Sequence, residues 1–490
     1  MSLISINHLS FSYESNVDAV FDDVSFAFDT NWKCGLVGRN GRGKTTLLKL
    51  LTGELDDQGA ITPHLPCHYF PDEIKDPTKK TMDIMHDVMP QAEDWELLCE
   101  AYELGLNDED LERSFELLSY GQRTKVLIAA LFAGDHPYLL IDEPTNHLDA
   151  ASRAMLGEYL KRKRGFLLIS HDRHLLDLCC DHIIALNMNS IDVVKGNFSS
   201  WYHNKTLQNE NERRENEKLK KEVKRLKQAS KKTADWSDAV EKTKNGVRNS
   251  GLRVDRGFVG HKAAKMMQRS KNYERRMNQS IEKASSLMKD EEVMEDLKLS
   301  PLHFSRPLVS ASHLDLFYDH EIAHDLNFTI EDGDRVALIG RNGCGKSSLM
   351  KCLLGEDVHY RGRLSVANIK IAYVPQDVST IRGSFQDYAK HVGIDLSQFL
   401  TILSKMGFER ETFNHDVSGL SEGQKKKAAL AACLCQEAHL YILDEPMNYL
   451  DIYTRIQIEE LILKFQPTLL FCEHDVSFTD KIKTKEIIFK

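Results

Sequence analysis

The stretch GLVGRNGRGKTTLLKLLTGE, residues 35–54, decides the fold, because ALIGRNGCGKSSLMKCLLGE repeats it at residues 337–356. Both fit GxxxxGK[ST], and Lys44 and Lys346 stand 302 positions apart. In each, a short apolar run feeds a glycine loop, and the loop opens into a helical run, KTTLLKLL or KSSLMKCL. Strand, loop and helix in this order make a phosphate cradle. Gly38, Gly41 and Gly43, like Gly340, Gly343 and Gly345, let backbone N–H groups turn inward around phosphate oxygens, and the helix N-terminus adds positive potential. Thr45 and Thr46, and Ser347 and Ser348, follow the lysines. Lys44 and Lys346 are expected to reach the β- and γ-phosphates of ATP, and the Thr45 and Ser347 hydroxyls to ligand Mg²⁺.

Other landmarks recur at the same offset. Gly121 of LSYGQ matches Gly423 of LSEGQ, and Glu143 of LLIDEPTNHLD matches Glu445 of YILDEPMNYLD. His171 of LLISHD matches His474 of LLFCEHD, one residue further on. Several motifs at one spacing mean a duplicated domain. Short apolar runs (CGLVG, YLLID, FLLIS; VALIG, YILD, LLFCE) read as buried strands alternating with helices, an α/β sheet core. The expected fold is therefore α/β: two tandem P-loop ATPase domains, residues 1–203 and 301–490, joined by a long α-helical hairpin linker over residues 204–300. Asp142 and Asp444 end apolar strands, as Mg²⁺-directed carboxylates should. Glu143 and Glu445 follow, placed to orient or deprotonate the attacking water. His171 and His474 come after the next strand, within reach of a γ-phosphate.

Charge is unevenly distributed. The chain carries a formal −10, yet residues 205–290 hold 24 Lys/Arg against 12 Asp/Glu, leaving the rest at −22. A basic block between acidic globular parts points to a polyanion partner. The bland alternative is a solvated charged linker. No apolar run approaches the roughly 18 residues a membrane span needs. The N-terminus lacks the basic and apolar regions of a signal peptide. The ten cysteines include no CxxC pair, so reduced core thiols in a cytoplasmic protein are expected.

LSYGQ and LSEGQ, taken with the P-loops, EPTNHLD and the two histidines, resemble the motifs of ABC ATPases. The resemblance covers both halves. It implies a head-to-tail sandwich within one chain, each ATP lying between the P-loop of one copy and the signature motif of the other. One site would then use Lys44, Thr45, Asp142, Glu143 and His171 with Ser421, Gly423 and Gln424. The other would use Lys346, Ser347, Asp444, Glu445 and His474 with Ser119, Gly121 and Gln122. Tyr13 and Tyr318 match the aromatic that stacks on adenine in this family; an ordinary strand aromatic is the equal alternative. Gln376 of YVPQ matches the family's Q-loop glutamine, a further contact to Mg²⁺, whereas YFPD places Asp72 at that position in the first copy. Unequal sites are expected, with the Lys44 site the odd one.

The insert separates a transporter motor from a soluble machine. No proline occurs between Pro144 and Pro301. One charged helix is expected over about residues 206–233, with Leu219, Val223 and Leu226 on one seam, and a second over about 262–297, with Met277, Ile281, Ala284 and Met288 on another. Between them, glycines at 246, 251, 257 and 260 predict an irregular tip near 245–261. Arg248, Arg253, Arg256, Lys262, Lys265, Arg269 and Lys271 surround it as candidate phosphate contacts. Phe258 among them either stacks on a base or folds back on the hairpin. Tandem ATPases, no membrane span and a basic helical linker resemble the ABC-F proteins, and the HKAAKMMQRSK run looks most like the Lsa-type antibiotic-resistance branch. That resemblance implies binding at the E site of the bacterial ribosome, a linker directed at large-subunit RNA and P-site tRNA, and protection of the peptidyl-transferase centre from large-subunit antibiotics, with no membrane subunit and a monomeric chain. Asp72 and Leu118 stand 46 positions apart, and Gln376 and Leu420 stand 44 apart, so the arm of some housekeeping ABC-F members is expected to be absent or short. A translation factor without a resistance role, a transporter ATPase subunit and a binding module without turnover are the competing readings.

Overall fold

The structure is a computed structural model that describes residues 3–13, 19–146, 148–187, 190–242, 256–288, 297–318, 321–341 and 343–489. The chain divides into two compact units. The larger holds both P-loop copies; residues 200–293 dominate the smaller.

In the first copy, β1 (Leu3–Phe11), β2 (Phe21–Asp29), β3 (Lys33–Gly38), α1 (Lys44–Thr52), β4 (Ile61–Thr62) and β5 (Cys67–Phe70) come first. Three short helices follow, α2 (Thr81–Val88), α3 (Asp94–Glu103) and α4 (Asp108–Glu112), then the longer α5 (Tyr120–Leu131). The copy closes with β6 (Tyr138–Asp142), α6 (Ala150–Arg162), β7 (Phe166–Ile169), α7 (Arg173–Cys179), β8 (His182–Leu186) and β9 (Ile191–Lys195). The main sheet runs β5-β6-β7-β3-β8-β9, parallel except for the antiparallel β8–β9 edge. A small antiparallel sheet, β2-β1-β4, covers one side. The apolar runs account for this. Leu139, Leu140, Leu167 and Leu168 are fully buried because strands covered on both faces need no alternation.

The second copy repeats the plan. It contains β10 (Val309–Phe317), β11 (Glu321–Ile330), β12 (Arg335–Ile339), α10 (Lys346–Leu353), β13 (His359–Val366), β14 (Ile371–Val374), α11 (Phe385–Val392) and α12 (Leu396–Lys405). After these come α13 (Glu422–Leu434), β15 (Leu440–Asp444), α14 (Ile452–Phe465), β16 (Leu469–Cys472), α15 (Val476–Ile482) and β17 (Lys485–Ile488). Its parallel sheet is β14-β15-β16-β12-β17, beside an antiparallel β11-β10-β13 sheet. In both copies the P-loop strand lies between the strand before the switch histidine and the last parallel strand. The strand that ends in Asp142 or Asp444 lies one strand further from the P-loop strand, and both open at the same, C-terminal end of the parallel sheet. All ten cysteines are free thiols.

The smaller unit contains the greater part of α8 (Phe198–Lys242) and all of α9 (Arg256–Met288). Two helices were expected, but both bounds move. The first begins earlier and runs longer, since a proline-free, Lys/Glu-rich sequence gives it no reason to stop. The second starts at Arg256, so Gly257 and Gly260 lie inside the helix and the irregular tip cannot extend to 261. Glycine in a first helical turn is a modest cost, not a stop. Residues 243–255, including Arg248 and Arg253, lie outside the described residues, as do the side chains of Arg256, Phe258, Lys262, Leu226, Ile281, Ala284 and Met288. Leu219, Val223 and Met277 are half-buried, and Lys265, Arg269 and Lys271 are exposed. Asn216, three residues before Leu219, is buried on the same seam with neither amide atom bonded among the described residues.

Candidate nucleotide sites

Each P-loop glycine before the lysine has left-handed backbone, Gly43 at φ 83° and Gly345 at φ 98°. Only glycine enters this region freely, and a Cβ on Gly43 would also lie 2.5 Å from Val20 Cγ1. The turn brings Lys44 Nζ to the Gly38 carbonyl at 2.8 Å, and Lys346 Nζ to the Gly340 and Arg341 carbonyls, each at 2.8 Å. Burial holds the Lys44 pKa below the usual lysine range, opposed chiefly by Asp451 and Glu143.

Both glutamates after the Walker aspartates also have left-handed backbone, Glu143 at φ 50° and Glu445 at φ 46°. For a residue with a Cβ this conformation is uncommon and strained, and it recurs in both copies. The kink carries each carboxylate off the strand end towards the switch histidine. His171 Nε2 lies 3.3 Å from Glu143 Oε1, and His474 Nε2 lies 3.3 Å from Glu445 Oε1.

The two sites then differ. Glu445 Oε2 accepts hydrogen bonds from Gln376 Nε2 at 3.0 Å and Asn448 Nδ2 at 2.7 Å. Burial raises the Glu445 pKa, but His474 and Gln376 outweigh it, and the carboxyl is held below its usual value. Burial instead pushes Glu143 up to about 7, with the Asp142 charge adding. The His474 contact makes the larger part of this difference, and the Q-loop substitution adds to it. Asp72 Oδ1 pairs with His68 Nε2 at 2.8 Å and Asp72 Oδ2 is buried without a hydrogen bond, so no amide reaches Glu143 from that loop. Burial, then the Lys44 ammonium, holds the His171 imidazole well below its usual range.

The Walker aspartates fit a Mg²⁺ centre. Asp142 Oδ2 accepts from Thr45 Oγ1 at 3.2 Å and from Tyr69 Oη at 3.1 Å. Asp444 Oδ1 is buried with no hydrogen-bond partner, and Ser347 hydrogen-bonds this carboxyl. No cluster of three or more His, Cys, Asp and Glu side chains that could hold a metal exists among the described residues. The donor set, one hydroxyl beside one carboxylate, suits an ion that takes its other ligands from water and phosphate.

The copies meet at the Lys44 site. A cleft of about 570 Å³ is lined on one side by Tyr13, the P-loop, Asp142, Glu143 and His171, and on the other by Ser421, Gly423 and Tyr449. Asn40 Nδ2 donates to the Tyr449 carbonyl at 3.2 Å. Gly423 packs under that carbonyl, and a Cβ there would sit 2.6 Å from Tyr449 O and 3.4 Å from Asn40 Nδ2. Tyr13 lines the cleft, but its hydroxyl lies 3.1 Å from Thr46 Oγ1 and its ring packs edge-on against Phe11. Tyr318 is exposed. Ser119 and Ser421 cap α5 and α13, accepting from the Gln122 and Gln424 amides, while the Gln122 and Gln424 side chains reach back to the Ser119 and Ser421 N–H groups at 3.0 Å. The two glutamines thus build the signature turns. For Ser119 and Gly121 the described residues show no partner across the interface; Asn342, the counterpart of Asn40, lies outside them.

Sequence reasoning missed several residues here. Asp149 and Asp451, the last residues of EPTNHLD and EPMNYLD, cap α6 and α14. Each also acts electrostatically on the opposite copy's histidine, Asp451 on His171 and Asp149 under the influence of His474. Asp451 is fully buried and paired with Lys427 at 2.6 Å. Arg173 binds Glu459 of the other copy at 2.5 Å, and Arg39 lies over the Tyr453 ring at 5.6 Å. Lys426 donates to the carbonyls of Pro375 at 2.7 Å, Asp444 at 3.0 Å and Gln376 at 3.3 Å, tying the signature helix to the Lys346 site. The repeat of the LD dipeptide was the available signal for the aspartates. Nothing local marked the others.

A model of the ABC transporter family matches residues 21–146 and again residues 323–448, more than half of the chain. The chain belongs to the ABC transporter family. As a member with two such domains it is an ATP hydrolase. No helix among the described residues is long and apolar enough to cross a membrane. The ABC protein is 28% identical over 498 residues to the ribosome protection protein VmlR of Bacillus subtilis (strain 168), covering 97% of this chain and 85% of that one. It is also 28% identical to the probable ATP-binding protein YheS of Escherichia coli (strain K12), over 95% of this chain and 76% of the relative. The ATP-binding protein Uup of Caulobacter vibrioides matches at 28%, over 96% and 74%. Among solved structures, RNase-L Inhibitor superposes with a TM-score of 0.63 at 19% identity, over 99% of this chain and 88% of that one. The archaeal ribosome recycling factor aABCE1, in complex with stalk protein aP1, gives 0.64 at 19%, over 99% and 87%. At these identities the structures speak for the tandem fold alone.

Proposed function

We propose that this protein is a cytoplasmic ABC-F ATPase that binds the bacterial ribosome E site and shields the peptidyl-transferase centre from large-subunit antibiotics, hydrolysis driving its release. The observation that carries the reading is the insert: a separate unit of two long helices with a strong positive charge, placed between two acidic ATPase copies. Such a unit suits RNA, whose phosphates dominate affinity. Lys265, Arg269 and Lys271 are exposed on α9 for this purpose. The name of VmlR, a ribosome protection protein matched over 97% of this chain, supports the same conclusion.

In this reading ATP closes the two copies and hydrolysis opens them. Lys44 and Lys346, with the loop N–H groups, bind the triphosphate. Ser421 and Gly423 complete the Lys44 site from across the interface, and Ser119 and Gly121 complete the other. Glu143 and Glu445 take the proton of the attacking water, and His171 and His474 orient them. Thr45 and Asp142, or Ser347, Asp444 and Gln376, would hold Mg²⁺, which would supply positive charge to the phosphates. His474 and then Gln376 favour the ionised Glu445 carboxyl, whereas burial disfavours ionised Glu143, so the Lys346 site turns over faster.

A housekeeping translation factor is the second reading, favoured by the equal identity to YheS and Uup, whose names mention only ATP binding. Sedimentation of the Glu143→Gln, Glu445→Gln chain with bacterial ribosomes tests the common part. ATP-dependent co-sedimentation is expected; absence of binding with and without ATP would remove the ribosome reading. Replacing Arg253, Arg256 and Phe258 then separates the two. Lost drug protection with intact ATPase supports protection, and cells equally drug-sensitive with either chain support the housekeeping role.

A further inference from the structure

A second cleft, about 590 Å³, lies in the first copy and takes no part in nucleotide binding. It is lined by Trp32, Lys33 and the consecutive cations Lys161, Arg162, Lys163 and Arg164, with Asp29 and Asp181. Lys33 starts β3, and Phe166 and His182 start the neighbouring β7 and β8. The cleft therefore sits at the strand-start end of the parallel sheet, opposite the end from which the P-loop leaves β3.

The cations are unevenly paired. Lys163 is committed to Glu100 at 2.5 Å. Lys161 and Arg162 have only loose partners, Glu158 at 3.6 Å and Glu103 at 3.7 Å, with about half of each cationic side chain exposed. Arg164 and Lys33 pair with no carboxylate among the described residues, and Lys33 Nζ donates to the Lys161 carbonyl at 3.1 Å. The two acids keep their negative charge and offset part of the positive potential, although neither pairs with a cation of the run. Asp29 Oδ1 accepts from Asn31, and Asp181 Oδ1 accepts from the Lys33 N–H at 3.0 Å and lies 2.7 Å from His182 Nδ1. One or two cations complement the C-terminus of α6; four in a row exceed that need. They also stand out against a chain whose remainder beyond the linker is strongly acidic. Trp32 stacks on His182 with ring centroids 3.8 Å apart and 3° between planes, giving the cleft a rigid aromatic wall.

We propose that this cleft is a second RNA contact, in which Lys33, Lys161, Arg162 and Arg164 grip a run of ribosomal RNA phosphates from the ATPase body, independently of the linker. The chemistry favours a polyanion over a single phosphate, because the cations are strung along one chain segment rather than converging on a backbone N–H nest. The inference rests on the ribosome reading above.

The test is the triple variant Lys161→Gln, Arg162→Gln, Arg164→Gln in the Glu143→Gln, Glu445→Gln chain. Its ATP-dependent ribosome affinity is measured across a KCl series. Each lost phosphate contact lowers the slope of log affinity against log salt by about 0.7–0.9. Three lost contacts flatten it by about 2 or more, an effect that a merely structural change does not produce. Binding of labelled polyuridylate at low salt is measured in parallel and should weaken in the variant. A parent chain that never binds ribosomes, with polyuridylate binding still weakened in the variant, removes the ribosome reading and leaves an RNA cleft. A parent that binds ribosomes, with an unchanged slope in the variant, overturns the cleft as a ribosomal contact whatever polyuridylate shows. Unchanged binding in both assays overturns it as an RNA site altogether.

Discussion

Gly423→Ala places one methyl group where the two ATPase copies meet. Its Cβ would lie 2.6 Å from the Tyr449 carbonyl oxygen, the acceptor of the Asn40 hydrogen bond from the opposite P-loop. Backbone cannot yield as a side-chain tip can, so the carbonyl must move or the helix must shift. Overpacking of this kind costs about 1–3 kcal/mol. Losing the Asn40 bond adds about 0.5–1.5 kcal/mol. Alanine in place of glycine near the start of α13 returns up to about 1 kcal/mol of helix propensity. Gly423 and Tyr449 belong to the same copy, so the overpacking bears on that copy's folding, and only the Asn40 bond, about 0.5–1.5 kcal/mol, enters ATP-driven closure, roughly 2- to 13-fold. The assay pairs an ATP titration of turnover with a melt of the nucleotide-free chain. Half-saturation should rise by about twofold or more, while the melting temperature falls by roughly 2–4 °C per kcal/mol of overpacking within the second copy. Wild-type ATP dependence would refute the interface reasoning.

The remaining predictions concern charge. In a Glu445→Gln chain, where only the Lys44 site turns over, the rate should rise with pH through about 7 as Glu143 loses its proton, whereas a Glu143→Gln chain should be flat there, Glu445 being held low; superimposable pH–rate profiles contradict the assignment. A folded pKa raised above its unfolded value also means that Glu143 favours folding most below the unfolded carboxyl range and that this contribution is lost as pH rises towards 7, so Glu143→Gln should gain stability relative to wild type above that pH in denaturant titrations. Lys427→Met leaves Asp451 buried and unpaired, at about 3–5 kcal/mol, which chemical denaturation should register as a lower midpoint for the second copy. Arg173→Ala removes the bridge to Glu459 but leaves Lys481 on that carboxylate at 2.7 Å, so it should cost less than Glu459→Ala, and a double-mutant cycle on ATP half-saturation should return a coupling of about 1 kcal/mol or more.

How much was legible in the sequence follows from where the information lies. The P-loops, the Walker aspartates and their glutamates depend on backbone geometry within a few residues. Glycine spacing and strand-ending carboxylates spell that geometry directly, and the duplication at 302 positions removed the ambiguity of any single motif. The helical insert was equally readable from charge and the absence of proline, although its bounds were not, because glycine weakens a helix without forbidding it. Only the tertiary structure decided the rest. Gln122 and Gln424 carry the right motif, yet their side chains cap helices, a choice made by the local backbone. Asp451, Lys427, Arg173 and Glu459 gain their roles by meeting across hundreds of residues of chain, and no local pattern encodes such a meeting. The unequal glutamates show the division most clearly. The sequence determined that aspartate replaces glutamine at residue 72. The fold decided that this aspartate would pair with His68, that no amide from that loop would reach Glu143, and that burial would push the Glu143 carboxyl up to about 7.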